Sequence, residues 1–141
     1  MQPLGIVGDD QRDKRYHGGP LQALLLIAAE VVDQLREDGW PIFYGALGEN
    51  LTTRGLDWKQ WRPGQIFRAG TVLLQLTKPR QPCLNLDRYG EGLEEYIYDW
   101  RVKRFDFSSA YWGMSGLYAS IVQTGEIRVK DEIVLVGDGS L

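Results

Sequence analysis

The sequence predicts a mixed β fold with helices, a small barrel flanked by two or more helical segments, in a single domain over residues 1–141. Three observations point there. Short apolar runs bounded by turn residues recur through the second half of the chain. Two other segments repeat apolar residues at helical spacing. Glycine is abundant at 17 of 141 residues, about 12% against an average near ~7%, which suits short strands joined by tight turns. Strands this short, interrupted by helices, satisfy their edges most readily by closing into a small barrel.

Composition narrows the class. A hydrophobic share of 43% and a charged share of 25% are those of an ordinary soluble domain with its own core. The net charge is −3, from 16 Lys+Arg against 19 Asp+Glu. No strongly basic field exists to neutralise phosphates, so no nucleic-acid partner is expected. One cysteine excludes an internal disulfide framework, and nothing at the N-terminus resembles a signal peptide. The longest apolar run, Ala23 to Ala29 with Val31 and Val32 beyond it, is too short to span a bilayer. The expected setting is therefore soluble, reducing and cytoplasmic, without membrane contact.

Met1 to Gly19 lack a clear period and are dense in charge from Gly8 onward. A solvated surface loop is the plain reading. Its length, and its ending in His17-Gly18-Gly19-Pro20, also suit a functional loop. Pro20 is placed as the first residue of a helix. Leu24, Ile27, Ala28, Val31, Val32 and Leu35 share one helical face, with Glu30, Asp33, Gln34 and Glu37 off it. Gly39 and then Pro41 end that helix. At its start, two glycines would let the backbone approach a ligand, and unsatisfied N–H groups would attract an anion.

Gly45 to Gly55 is glycine-punctuated and reads as a turn leading into a strand, with Asn50, Thr52 and Thr53 as hydrogen-bonding groups. Trp58 and Trp61 are expected as partly buried anchors. Pro63-Gly64 marks a turn, and Ile66 to Arg68 and Thr71 to Leu76 read as strands joined tightly at Ala69-Gly70. Glu91 to Arg104 places Leu93, Tyr96, Ile97 and Trp100 on one face of a second helix, whose end carries Arg101, Lys103 and Arg104. After an irregular aromatic stretch through Trp112, strands are expected at Leu117 to Gln123, Ile127 to Val129 and Glu132 to Val136.

Lys78-Pro79-Arg80-Gln81-Pro82-Cys83 carries the only cysteine. Two prolines stiffen this loop. Leu84 to Tyr89, ending at Gly90, can form a short helix. A cysteine at such a helix start, with Arg80 nearby, favours the thiolate. The alternative is a small buried hydrophobe. One His and one Cys exclude a Cys/His zinc site and a thiolate-ligated iron–sulfur cluster within one chain. Cys83 and His17 could form a nucleophilic pair if the fold joins them. A single thiolate also suffices where an organic cofactor supplies the remaining metal ligands, or where sulfur is carried as a persulfide.

Four stretches in register resemble a known family, the MOSC domain, found at the C-terminus of molybdenum-cofactor sulfurases and as a stand-alone bacterial protein. They are Gly8-Asp9-x-Gln11-x-Asp13-x-Arg15-x-His17-Gly18-Gly19-Pro20, Gly48-Glu49-Asn50-Leu51-Thr52 with Gly55-Leu56, Gly64-x-x-Phe67-Arg68-x-Gly70, and Pro79-Arg80-Gln81-Pro82-Cys83. Gly116-Leu117-Tyr118-Ala119-x-Ile121 resembles the family's closing strand. The resemblance implies a β-barrel binding a pterin-based molybdenum cofactor, a tungsten variant included. It implies Cys83 as metal ligand and catalytic residue or as sulfur carrier, with His17, Gly18, Gly19, Asn50, Thr52 and Arg80 lining the cofactor pocket.

By the same resemblance, the chain would act on a small-molecule substrate, reducing N-hydroxylated compounds with a separate electron-transfer protein. The alternative is a sulfur carrier served by a sulfur donor, and a third reading is a barrel that acts through protein contacts alone. Family members usually carry further strands before the Gly-Asp motif, near which this chain begins. That leaves a trimmed barrel, a second chain that completes it, or a missing start, and an exposed strand edge would favour a homodimer.

Overall fold

The computed structural model describes residues 4–7, 14–16, 23–44, 46–47, 50–82 and 84–138. Its elements in chain order are β1 (Leu4–Val7), β2 (Lys14–Tyr16), β3 (Ala23–Ala28), α1 (Ala29–Glu37), β4 (Leu51–Arg54), β5 (Ile66–Ala69), β6 (Val72–Pro79), α2 (Leu93–Tyr96), α3 (Trp100–Lys103), β7 (Leu117–Gln123), β8 (Gly125–Ile127) and β9 (Glu132–Gly137). Short 3₁₀ turns lie at Trp58–Gln60 and Leu84–Tyr89. The expected β-barrel with flanking helices is what forms. Strands run β1-β4-β3-β7-β6-β5-β9 around a closed ring, and β2 pairs with β8 as a separate two-stranded ribbon.

Two regions depart from the sequence-based expectation near the start. Residues expected as a continuous loop contain β1 and β2. β1 completes the ring, pairing with β4 on one side and β9 on the other. The barrel edge on which a homodimer was expected is therefore paired within the described ring. The first helix also begins later than expected. Ala23 to Ala28 form a strand, and α1 starts at Ala29. The reason is burial on both faces: Leu24 to Ala28 are all buried, between β4 and β7. A continuous apolar run carries no period that separates a buried strand from a buried helix. The helix N-terminus thus lies beyond the Gly18-Gly19-Pro20 segment, and the anion-binding role expected of a helix starting there falls away.

The end of α1 is as read. Gly39 takes φ +100°, its N–H bonds the Arg36 carbonyl, and the Trp40 N–H bonds that of Leu35, both at 3.0 Å. This pair of bonds is the Schellman arrangement, which satisfies the last carbonyls of a helix. The expected second helix is two short ones instead. Asp99 interrupts it, and its Oδ1 accepts the Val102 N–H at 3.0 Å and so caps a new start at α3. The strand expected at Ile127 to Val129 starts at Gly125 and pairs with β2.

β3 and β4 are parallel neighbours joined through α1, whereas every other pair in the ring is antiparallel. The registers align residues into levels. Leu51, Leu26, Leu117 and Pro79 are successive partners across β4, β3, β7 and β6. Alternating residues of these strands face inward as the core, among them Leu51, Leu74, Leu76, Leu117, Ala119 and Ile121. Of the two tryptophans expected as anchors, Trp61 is buried and Trp58 half-buried. The Trp112 indole donates to the Trp61 carbonyl at 2.8 Å, tying the aromatic stretch to the barrel.

Candidate functional site at the end of β6

The level that holds Pro79 sets the start of the cysteine loop. Beyond it the ladder continues by one bond, from the Arg80 N–H to the Gly116 carbonyl at 2.9 Å. Ser115 Oγ donates to the Arg80 carbonyl at 2.6 Å, and Arg80 Nη1 reaches the Ser115 carbonyl at 3.5 Å. Arg80 is 8% exposed and Ser115 fully buried. Burying a guanidinium is costly unless polar groups meet it, and the Ser115 carbonyl is one such group. Pro82 is buried and Gln81 exposed, and the 3₁₀ turn from Leu84 follows as the sequence predicts. Cys83 lies outside the described residues, as do His17, Gly18 and Gly19. The Cys83–His17 pairing and the four residues' part in a cofactor pocket therefore also lie outside the described residues.

Gly116 makes this junction close. It sits at φ +92°, and a Cβ there would come 2.6 Å from the Leu26 carbonyl oxygen and 2.7 Å from Ile27 Cγ1. Only glycine lets β7 begin this near β3.

Asn50 and Thr52 stand on the far side of β3. The Asn50 N–H donates to the Leu25 carbonyl, and Asn50 Oδ1 accepts the Leu25 N–H, both at 2.8 Å. This reciprocal pair locks the incoming end of β4 against β3, so the side chain braces the parallel strands. Thr52 is half-buried beside Ile27 on the outward face of β4. Arg80 continues β6, and β7 and β3 lie between it and β4. Along the sheet, on the order of 14 Å separates them at ordinary strand spacing. Thr52 and Arg80 occupy matching levels, and Asn50 lies two residues to one side.

A cavity of about 330 Å³ opens on the outer face of β6 and β7, next to the cysteine loop. Lys78, Gln81, Tyr98, Lys103, Phe105 and Tyr118 line it. Burial, and secondarily the neighbouring Asp99 charge, raise the pKa of Tyr98, so its hydroxyl stays protonated. Sequence reasoning passed over Ser115, Tyr98 and Tyr118 as site residues. Only the Gly116-Leu117-Tyr118 motif flagged this edge. Among the described residues no group of three His, Cys, Asp or Glu is arranged to hold a metal ion. No helix among them is long and apolar enough to cross a membrane.

Comparison with known proteins gives these features a context. A family model described as the MOSC domain matches residues 13–134. Protein YiiM of Escherichia coli is 40% identical over 95 residues, covering 62% of this chain and 41% of that protein. YflK of Bacillus subtilis is 30% identical over 134 residues, covering 94% of this chain and 56% of that protein. A protein of Gibberella moniliformis named as a reductase is 27% identical over 137 residues, covering 94% of this chain and 22% of its own length. The chain thus spans about half the length of YiiM and YflK. The crystal structure of E. coli YiiM superposes with a TM-score of 0.68 at 24% identity, over 99% of this chain and 71% of that one, which shows the shared fold.

Proposed function

This chain belongs to the MOSC domain family, and from that premise we propose that it binds a pterin-based molybdenum cofactor and reduces N-hydroxylated small molecules. The observation that carries the reading is the anchoring of the Pro79–Pro82 loop. Its backbone is tied to Ser115 and Gly116, and the buried Arg80 guanidinium sits at its centre. A rigid loop holding a buried cation beside a cysteine suits an anionic, phosphate-bearing cofactor that needs one thiolate from the protein. The reductase name of the fungal relative supports the direction of the chemistry.

In this reading Cys83 supplies the thiolate to the metal, molybdenum or tungsten. Arg80 meets the cofactor's phosphate, His17, Gly18 and Gly19 line the pocket, and Asn50 and Thr52 meet the cofactor's polar edges. When bound, the group supplies a two-electron redox centre. The chain's own residues hold and orient it and restrict water. Reduction of R–NHOH to R–NH2 takes two electrons and two protons and releases water. These residues carry no flavin or iron–sulfur motif, and in this reading a separate electron-transfer protein supplies the electrons. A cytoplasmic setting goes with that supply.

Metal and pterin analysis of protein from a cofactor-producing host, wild type beside Cys83→Ser, tests the reading. Molybdenum with pterin in the wild type, lost in the variant, supports thiolate ligation. Equal metal in both removes Cys83 as the essential ligand. Sulfane sulfur on Cys83 without metal or pterin moves the protein to the sulfur-carrier role.

A further inference from the structure

We propose that the cavity on the outer face of β6 and β7 binds a small aromatic carboxylate, its anionic end held by Lys78 and Lys103 and its ring by the aromatic wall. The two lysines reach this space from separate elements, β6 and the last residue of α3. Both are exposed, and neither has an ion-pair or side-chain hydrogen-bond partner among the described residues. Neighbouring cations are already engaged. Arg101 and Arg104 lie over the Trp100 ring at 5.6 and 5.7 Å. Arg62 lies over Phe107 at 4.1 Å, and its Nη1 donates to the Lys59 and Trp61 carbonyls. Of the carboxylates near in sequence, Asp99 is committed to the Val102 N–H and to Ser109 Oγ, each at 3.0 Å, and Asp106 to the Ser108 N–H at 3.0 Å and hydroxyl at 2.6 Å. Two ammonium groups lining one cavity repel unless an anion lies between them.

The walls determine the rest of the ligand. Tyr98, Phe105 and Tyr118 present ring surface, and Gln81 adds an amide. Phe105 takes φ +61° just past the end of α3, the left-handed position at which helices commonly stop. Its N–H bonds the Val102 carbonyl at 3.0 Å, and its ring meets Trp112 edge-on at 6.3 Å. This helix stop, in which the Asp106 N–H also bonds the Arg101 carbonyl at 2.9 Å, holds an exposed phenyl ring at the rim. About 330 Å³ is at the small end of ligand pockets and suits a one- or two-ring molecule. The site stands whether or not the cofactor reading holds.

The test is calorimetric titration of metal-free protein with 2-naphthoate, its neutral amide 2-naphthamide, and cyclohexanecarboxylate. The expected result is saturable 2-naphthoate binding, with both comparators weaker. Lys78→Met and Lys103→Met should each weaken it about fivefold, and added salt should weaken it further. Lys59→Met is the control, because Lys59 lies over Trp58 instead, and it should bind as the wild type does. All three lysines are exposed, and circular dichroism confirms that the variants fold. Failure of 2-naphthoate to bind, equal binding of the amide, or indifference to both lysine substitutions would overturn the proposal. Loss of the molybdenum reading would leave these results untouched.

Discussion

Ser115 and Arg80 hold each other twice: the serine hydroxyl donates to the arginine carbonyl at 2.6 Å, and Arg80 Nη1 reaches the serine carbonyl at 3.5 Å. Both residues are buried, so the pair fixes where the cysteine loop leaves β6. Ser115→Ala removes the hydroxyl donor from a buried carbonyl and should cost about 1–3 kcal/mol in urea unfolding. Molybdenum content should fall with it if the loop positions the cofactor. A variant with unchanged stability would show that the loop does not depend on this bond.

Asn50 makes the corresponding clamp on β3. Asn50→Ala leaves the Leu25 N–H, on a residue that is 4% exposed, without its acceptor. The expected loss is again about 1–3 kcal/mol. Asn50→Asp keeps an acceptor oxygen and should recover most of it. If Asn50 serves chiefly a ligand, the alanine variant will lose cofactor while keeping its unfolding midpoint.

Gly116→Ala should be more damaging than either. The added methyl meets the Leu26 carbonyl oxygen at 2.6 Å, and φ +92° is strained for alanine in any case. A loss of at least about 2 kcal/mol is expected, read as a lowered thermal midpoint. Wild-type stability would mean that β7 can shift away from β3.

Asp106 gives a pH signature. Hydrogen bonds to its Oδ1 from the Ser108 hydroxyl at 2.6 Å and from the Ser108 N–H at 3.0 Å lower its pKa from the usual 3.8. A depressed carboxylate contributes stability that is fully present above its unfolded value and lost as pH falls through the folded one. The side-chain resonance of Asp106 should therefore titrate below 3.8. Ser108→Ala should move the midpoint back up, and an unchanged midpoint would assign the shift to another neighbour.

Much of the barrel is legible locally. Strands β5 and β6 alternate buried and exposed residues around a glycine turn, and β7 does the same through Ile121. The stop of α1 at Gly39 is a matter of backbone chemistry that one residue announces. The Pro79–Cys83 segment announces itself too, through two prolines, one arginine and the only thiol. Where the reading failed, the local signal was silent or pointed elsewhere. Leu24 to Ala28 are buried on both faces, which erases the period that would mark a strand. At Asp99, a side-chain cap broke a pattern that looked continuously helical.

By itself, then, the sequence determined the class of fold and the family and singled out one loop to test for chemistry, because each is written in neighbouring residues. Tertiary structure alone decided how the ring closes through β1, which strands run parallel, and what surrounds that loop. Ser115 meets Arg80, and Lys103 joins Lys78 across one cavity, only because β7 and α3 pack beside β6. Such pairings are set by burial and hydrogen bonding between distant segments, and no local pattern records which distant segment will supply the partner.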